Sequence, residues 1–337
     1  MPSYKHTLAA DVGGTKTLLE LGVAETSGYR RVYAEGFQNE DYSSVAEVVE
    51  AFLALCPERP PSIATACFAL AGPVTGRRIR LTNLPWEVDA DQLAPRLGIS
   101  QVRFVNDFVA VGYGIPSLES TEMLTLQQGC PESRGVRAVL GAGTGLGMAA
   151  IISIGSGYRV LPSEGGHSDF APVNEVQARL VNYLSHRLGR VWCGAVLSGR
   201  GLERIYAFLS EADTLRLRNS GGRPQEAPIS AAEITSRAVE GSDPRAVSTV
   251  NLFLDIYGAV AGNLALTLMA RGGVYVAGGI APRIASMFTE GNFLRAFSAK
   301  GKFADLMQTI PAHVVRSADV GLRGAVAIAA QATNNRR

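Results

Sequence analysis

The sequence predicts an α/β protein that consists of two duplicated domains with a cleft between them. Three observations lead to this fold class. The chain has 337 residues, which suits two lobes of roughly 100–200 residues each better than a single hydrophobic core. Short apolar runs that are typical of strands alternate with amphipathic helical patterns. The segments LAADVGGTKTLLELGV and AVLGAGTGLGMAAIIS both follow the order strand, glycine-rich turn with threonine, strand, so each half opens with the same unit.

The first half begins with three strand patterns, HTLAAD, TLLELGVA and YRRVYAEGF. The next segment, SSVAEVVEAFLALC, is predicted to be a helix because its apolar residues repeat with helical period. Ser44 and Glu47 have the spacing of a capping box at its start. SIATACFALAG and QVRFVND are short apolar runs of the kind found in buried parallel strands, and FVAVGYGI follows as a helix.

In the second half, we expect strands at VRAVLGAG, MAAIISIG and GVYVAGGI. The turn-rich segment QGCPESRG is expected to link the two halves. Helical patterns cover the remaining long segments: NEVQARLVNYLSHRL, GLERIYAFLSEA, AAEITSRAVEG, residues 243–270 and VGLRGAVAIAAQA.

The composition excludes several classes of protein. A hydrophobic content of 47% and a charged content of 18% indicate a globular chain, and a net charge of +2 gives no reason to expect a nucleic-acid partner. The four cysteines are widely spaced, so we expect free thiols rather than disulfides, and no structural zinc. The N-terminus lacks the apolar region of a signal peptide, and no run of about 18 apolar residues suggests a membrane span. A cytoplasmic protein without a membrane partner is expected.

The turn DVGGTKT has the features of an anion site. Gly13 and Gly14 allow backbone amides to turn toward a bound anion, and Thr15 adds a hydroxyl donor. Asp11 ends the preceding strand, and its carboxylate is suited to hold Mg²⁺, usually through water. The alternative is a plain tight hairpin that needs glycine for a positive φ.

A second turn, GAGTGLG, has more glycines than a hairpin needs. It resembles a dinucleotide-binding fingerprint, but the apolar run that follows predicts a strand where that fingerprint requires a helix. A phosphate clamp is therefore favoured, and two such turns, one from each half, would face one triphosphate. A third glycine element, VAGGIAP, is expected to approach a nucleoside. The residues concerned are Gly141, Gly143, Thr144, Gly145, Gly278 and Gly279.

Two short polar segments complete the candidate site. Asn106 and Asp107 follow a strand at the carboxyl edge of the sheet, where Asp107 is suited to accept a proton during phosphoryl transfer; the alternative is a helix N-cap. Glu164 and His167 lie in LPSEGGHSDFAP, which supplies too few ligands for zinc. A site for sugar hydroxyls and a plain surface loop remain the two interpretations.

Taken together, these motifs give the chain a recognisable pattern. DVGGT, NDF, GAGTGLG, EGGH.DFAP, VLSG.GL, GNLAL and AGGIAPR occur in this order. From about Ala9 to Ala330 the sequence resembles the bacterial glucokinases, especially the proteobacterial and cyanobacterial type, of the hexokinase and actin-like superfamily. The resemblance implies a two-lobed actin-like ATPase fold, which is ribonuclease H-like and has duplicated mixed-sheet domains. The small lobe would contain residues 1–117 plus about 312–330, and the large lobe residues 118–311.

The resemblance also implies an activity: ATP- and Mg²⁺-dependent phosphorylation of glucose at its 6-hydroxyl, by an enzyme that is expected to be a homodimer. By the same analogy, Asp107 is the general base, Asn106 a sugar ligand, and Glu164 and His167 bind sugar hydroxyls. The ATP phosphates would be lined by Ala10, Asp11, Val12, Gly13, Gly14 and Thr15.

One departure from the family pattern leaves alternatives open. Where the family typically has a sugar-contacting glutamate, in a pattern like ERVLSG, this sequence reads GAVLSG, with Gly194 at the glutamate position. The alternatives to a glucokinase are a kinase for another hexose or amino sugar and a kinase-like sugar sensor without turnover.

Overall fold

A computed structural model describes residues 5–25, 28–57, 60, 62–81, 84–219 and 229–334. The chain contacts divide the protein into two compact units. Unit 1 contains Met1–Leu118 and Ser317–Arg337, and unit 2 contains Glu119–Arg316. The C-terminal segment therefore returns to the unit in which the chain begins.

The elements of the first 118 residues follow the predicted order with two unpredicted additions, the short hairpin of β5 and β6 and the helix α2. They are β1 (Lys5–Val12), β2 (Lys16–Glu25), β3 (Gly28–Gln38), α1 (Val45–Leu55), β4 (Ile63–Leu70), β5 (Arg78–Arg80), β6 (Glu87–Asp89), α2 (Ala90–Leu97), β7 (Val102–Asn106) and α3 (Asp107–Gly114).

Unit 2 contains more strands and helices than its sequence pattern predicts. Its elements are β8 (Met123–Gln127), β9 (Arg137–Ala142), β10 (Leu146–Ile154), β11 (Gly157–Ser163), α4 (Glu175–Leu188), α5 (Cys193–Val196), α6 (Gly199–Asn219), α7 (Ala231–Glu240), α8 (Pro244–Leu268), β12 (Gly273–Ala277), α9 (Ala285–Phe288), α10 (Asn292–Ser298), α11 (Ala304–Thr309) and β13 (Ala312–Val315). The last helix, α12 (Val320–Asn334), belongs to unit 1.

The sheet of unit 1 is mixed, in the order β3-β2-β1-β4-β7. Strands β1, β4 and β7 are parallel, whereas β2 and β3 pair antiparallel. One hydrophobic cluster packs α1 and α2 against the sheet, and a second packs α3 and α12 against it through small residues that include Ala110 and Ala325. Both faces of the sheet are therefore covered by helices, which explains why its central strands read as continuous apolar runs.

The sheet of unit 2 has six strands in the order β11-β10-β9-β12-β13-β8. The segment 128–135, predicted to link the halves, instead connects β8 to β9 within this unit. The prediction was wrong because strand β8, which pairs with the distant β13, has no clear signal in the sequence. By length and composition alone, α8 would qualify as a membrane span, contrary to the expectation from sequence, but 72% of its apolar window is buried within the protein, as in a core helix.

The capping predictions hold with one adjustment. The Ser44 hydroxyl accepts a hydrogen bond from the amide of Glu47 at 3.3 Å, as a capping box requires. The Glu47 carboxylate, however, accepts from the amide of Ser43 at 2.8 Å rather than from that of Ser44. At the start of α7, Ser230 accepts from the amide of Glu233 at 3.2 Å.

Candidate active site

The parallel strands of unit 1 bring three predicted residues to one edge of the sheet. Val12, Leu70 and Asn106 are aligned at the carboxyl ends of β1, β4 and β7. Asp11 and Asp107 adjoin this row, one before Val12 and the other after Asn106. Ligands of open α/β sheets bind at this kind of edge, so the fold places both carboxylates where the sequence predicted them.

Asp11 lies in a restricted environment at this edge. Helix α12 approaches it so closely that a Cβ on Gly321 would overlap the Asp11 carboxylate. Burial, and after it the negative charge of Asp107, raises the pKa of Asp11 to about 7. A carboxyl group with this pKa changes its protonation state near neutral pH. Gly321 was not identified from the sequence, because the approach of α12 to β1 has no local signature.

Asn106 is the N-cap of α3, which confirms the capping interpretation for this residue. Its Oδ1 accepts hydrogen bonds from the amides of Phe108 at 2.9 Å and Val109 at 3.2 Å. Its Nδ2 donates to the carbonyl oxygen of Gly72 at 3.0 Å. Asp107 is the first residue of the helix and accepts from the amide of Phe108 at 2.9 Å. These bonds fix the backbone from which Asp107 projects.

The first glycine turn, between β1 and β2, is closed by a hydrogen bond from the Gly13 amide to the Lys16 carbonyl at 3.0 Å. The buried side chain of Asn39 donates to the Gly13 carbonyl at 2.9 Å, and the Asn39 amide donates to the Thr15 carbonyl at 2.8 Å. Asn39 therefore stabilises the turn through two hydrogen bonds to its carbonyl groups. The sequence did not reveal this role, because Asn39 lies in a connection with no motif.

The second turn, between β9 and β10, is likewise closed by a hydrogen bond within its own backbone. The Gly143 amide donates to the Gly145 carbonyl at 2.8 Å, and the Gly143 carbonyl accepts from the Gly199 amide at 2.9 Å. A Cβ on Gly143 or Gly145 would meet no atom within 4 Å, and neither residue has a positive φ. Packing and backbone conformation thus do not explain these glycines, whereas the approach of a ligand to the turn would.

The alternative interpretation, a tight hairpin that needs glycine for a positive φ, is therefore correct about the hairpin and wrong about the φ angle. Both turns connect adjacent antiparallel strands. The described glycines with a positive φ do not include Gly13, Gly14, Gly143 or Gly145. A left-handed backbone is consequently not what the turns require of their glycines.

The third glycine element lies against the second turn. Gly278 follows β12 with a φ of 86°, and a Cβ on it would be 2.6 Å from the Ala142 carbonyl oxygen, so the fold itself requires glycine there. Gly279 has open space around its Cβ position. The structure thus brings the segment 141–145 together with Gly278 and Gly279. That these residues bind a nucleotide stays a prediction.

The loop with Glu164 and His167 forms a short 3-10 turn in unit 2. A Cβ on Gly166 would overlap the Leu146 carbonyl, so the loop lies directly on the start of β10, next to the second glycine turn. Arg190 donates to the His167 carbonyl at 2.6 Å and pairs with Asp169 at 2.6 Å. The backbone of the loop is fixed, and the side chains of Glu164 and His167 are exposed and available to a ligand.

Trp192 is a further residue of this region that the sequence did not identify. Its indole is nearly parallel to the His167 ring, with the centroids 6.4 Å apart and an interplanar angle of 16°. A Cβ on Gly194 would lie 3.2 Å from the indole Nε1 and 3.3 Å from the Gly166 carbonyl oxygen. The indole therefore occupies the space beside the position where the family pattern has glutamate.

Among the described residues, no group of three or more His, Cys, Asp or Glu side chains is placed to hold a metal ion. The site in unit 1 offers the pair Asp11 and Asp107. This donor set suits Mg²⁺, which is commonly held by one or two carboxylates, water and substrate phosphates.

Comparison with known proteins identifies relatives along nearly the whole chain. The family model described as Glucokinase matches residues 8–332. A glucokinase of Trichormus variabilis is 42% identical over 96% of this chain and 98% of its own length. A glucokinase of Synechocystis sp. is 43% identical over the same shares of the two chains. A glucokinase of Yersinia enterocolitica is 36% identical and covers 96% of each chain.

Solved structures show the same fold. A glucokinase from an Antarctic psychrotroph superposes with a TM-score of 0.82 at 30% identity, covering 98% of this chain and 100% of that one. The glucokinase of Balamuthia mandrillaris in complex with glucose has a TM-score of 0.77 at 21% identity and covers 97% and 94% of the two chains. The α/β architecture with mixed sheets is thus the fold of this group.

Proposed function

This chain belongs to the glucokinase family, and we propose on that basis that it transfers the γ-phosphoryl group of ATP to the 6-hydroxyl of glucose. The observation that carries the proposal is the family match over residues 8–332. The placement of Asp11 and Asp107 at one sheet edge supports it. Relatives of similar length are named glucokinases, so a sensor or a kinase for another sugar is not favoured.

In this proposal Asp107 is the general base. It accepts the proton of the 6-hydroxyl as the oxygen attacks phosphorus, and its backbone is fixed by the capping bonds of Asn106. The Asn106 amide group has two N–H donors, one of which bonds to Gly72. The second is available for a sugar hydroxyl. Glu164 and His167 bind further hydroxyls.

Both glycine turns are proposed to hold the phosphates of ATP, through Ala10–Thr15 in unit 1 and the segment 141–145 in unit 2, while Gly278 and Gly279 approach the nucleoside. Asp11 would hold Mg²⁺ through water. The ion supplies charge neutralisation at the phosphates when it is bound. Asp11 must be ionised for this role, and its raised pKa makes the interaction dependent on pH. A homodimer and a cytoplasmic location complete the proposal.

The test is a coupled phosphorylation assay with a panel of hexoses and amino sugars. ATP with Mg²⁺ is compared with inorganic polyphosphate as the donor. We expect kcat/KM to be highest for glucose with ATP. Absence of turnover with every sugar, or a higher kcat/KM for another sugar, would contradict the proposal.

A further inference from the structure

The loop of residues 164–167 is joined to the segment around Trp192 by backbone pairing. Directly after the loop, Asp169 forms an antiparallel bridge with Trp192. Beside this bridge, the Cys193 amide donates a hydrogen bond to the Ser168 carbonyl at 2.9 Å. The backbone from which the indole projects is therefore fixed relative to the loop that carries the candidate sugar ligands.

The side chain of Trp192 is half-buried and held beside the loop. Part of it packs against the hydrophobic core of unit 2, and its ring lies nearly parallel to that of His167. The Trp192 carbonyl accepts from the Ala195 amide at 2.9 Å, which fixes the start of α5. An indole held in this way loses little conformational entropy when a ligand contacts it.

The N–H group of this indole has no partner within the part of the chain that the structure describes, and its nitrogen is not fully buried. Indole Nε1 can only donate a hydrogen bond, and the N–H of a half-buried tryptophan usually finds an acceptor. The exposed side chains of Glu164 and His167 belong to the same region. A Cβ on Gly194 would lie 3.2 Å from Nε1, so a larger residue there would crowd the nitrogen.

We propose that the Trp192 N–H donates a hydrogen bond to one hydroxyl oxygen of the bound sugar and thereby determines which substituents are accepted at that position. This inference rests on the proposed function, since it concerns the sugar site of the kinase. The ionised Glu164 carboxylate can only accept, whereas the indole can only donate. A substituent that accepts without donating is therefore compatible with Trp192 and incompatible with Glu164.

A fluorescence titration tests whether the sugar reaches the indole. The chain has two tryptophans, and the other one, Trp86, is 4% exposed in a core cluster of unit 1. Glucose should change the emission of the native chain and of Trp86→Phe, and this change should be lost in Trp192→Phe. An undiminished change in Trp192→Phe would overturn the contact.

Calorimetry then measures what the N–H contributes. Trp192→Phe keeps an aromatic ring beside His167 and removes the donor, so the Kd for glucose should rise about fivefold. The Kd for a non-hydrolysable ATP analogue with Mg²⁺ should stay within about twofold. Trp86→Phe makes the same chemical change in unit 1 and should leave the Kd for glucose unaltered. An unchanged Kd for glucose in Trp192→Phe, or an equal loss for both ligands, would assign Trp192 a purely structural role and overturn the proposal.

A panel of modified sugars tests the direction of the hydrogen bond. Each hydroxyl of glucose other than the reacting one is replaced in turn by hydrogen and by fluorine, which accepts a weak hydrogen bond and donates none. At one position, the deoxy sugar should bind the native chain about fivefold more weakly than glucose, and the fluoro sugar should lie between the two. In Trp192→Phe, glucose and that deoxy sugar should bind alike, because the variant and the sugar remove the same interaction. If the loss depends on Trp192 at no position, the proposal is wrong.

These titrations need no turnover, so the contact and the kinase activity are decided separately. Sugar binding that depends on Trp192 without any phosphorylation would contradict the proposed kinase and retain the contact. Phosphorylation of glucose with no dependence of binding on Trp192 would retain the kinase and overturn the contact. A native chain that binds none of the sugars would contradict both.

Discussion

The two glycine turns occupy matching places in their sheets, yet their surroundings differ in charge. The turn of unit 1 follows Asp11, which has a raised pKa and senses the charge of Asp107. In the turn of unit 2, the matching position is Gly141, and the turn is held by hydrogen bonds from Gly199 and by the Tyr257 hydroxyl, which accepts from the Ala142 amide at 3.0 Å. The two turns share the same backbone arrangement, but only the turn of unit 1 is preceded by a carboxylate.

This difference suggests a division of work. Neutral backbone donors bind an anion without changing their protonation state, whereas carboxylates can also hold a cation or accept a proton. Substitution of Asp107 in unit 1 should therefore lower kcat, substitution of Asp11 should weaken the binding of Mg²⁺ with nucleotide, and substitutions in the unit 2 site should raise KM. The predictions below test this division, beginning with the largest expected effect.

Asp107→Asn should lower kcat by about a hundredfold or more, because the variant keeps the shape of the side chain and removes the base. The KM for glucose should change little. Steady-state kinetics with glucose and ATP provides the measurement, with the exposed Asp305→Asn on α11 as a control. A near-native kcat in the Asp107 variant would show that Asp107 is not the general base. The proposed difference in role between the two units would then be wrong.

The affinity for Mg²⁺ and nucleotide should fall as the pH is lowered through 7. Asp11 is protonated below its pKa of about 7, and a protonated carboxyl group does not hold the ion. Between pH 7.5 and pH 5.5 the loss from this one group should reach about 25-fold. Titration of nucleotide with Mg²⁺ across this range measures it, and Asp11→Asn should show only the pH dependence of the nucleotide itself. An identical slope in both proteins would contradict the assignment.

The same pKa has a consequence for folding without ligand. An unfolded Asp ionises near pH 4, whereas Asp11 in the native protein keeps its proton up to about pH 7. Its contribution to stability is therefore present in acid and is lost as the pH rises from about 4 to 7. Urea unfolding of the native chain and of Asp11→Asn at several pH values should show this slope in the native chain alone.

Gly143→Val should weaken ATP binding about tenfold or more and leave kcat at saturating ATP less affected. The fold has open space for the side chain, so a loss of affinity would show that the valine occupies space that the bound nucleotide needs. Gly76→Val is a matched control, since a Cβ at Gly76 also meets no atom within 4 Å. Unchanged nucleotide affinity would show that the second turn is only a hairpin.

The pair Trp192 and Gly194 tests whether unit 2 sets the affinity for sugar. A glutamate introduced at Gly194 alone would meet the indole, so Gly194→Glu should give no gain in glucose affinity. Combined with Trp192→Ser, it should lower the KM for glucose about tenfold relative to Trp192→Ser, because a carboxylate accepts from sugar hydroxyls. If the double variant shows no gain, the alignment of Gly194 with the family glutamate is wrong.

His167→Ala should raise the KM for glucose about three- to tenfold, which corresponds to the loss of one hydrogen bond to a sugar hydroxyl. The KM for ATP should stay within about twofold. Calorimetry with each ligand makes the same distinction without turnover. Equal losses for both ligands would show that His167 supports the loop rather than binding sugar.

The sequence predicted those parts of the molecule that depend on local patterns. The strand before Asp107, the helix after Ser44 and both glycine turns follow from periodicity, capping residues and turn chemistry. Strand β13 was missed because Ala312–Val315 is short and becomes a strand through pairing with β12 and β8. The roles of Asn39 and Gly321 were missed for the same reason, since each acts on a residue far away in the chain.

The return of α12 to unit 1 determines the order in which the protein can fold during synthesis. One core cluster of unit 1 takes Ala9, Cys67 and Ala69 from the early strands, and Leu322, Ala325, Ile328 and Ala329 from α12. When residue 118 leaves the ribosome, this face of the first sheet therefore has no final helix to cover it. Unit 2 is a single continuous stretch and can be completed first. The part of this sheet face that α12 covers consequently stays exposed until α12 is made, and truncation within α12 should expose it permanently.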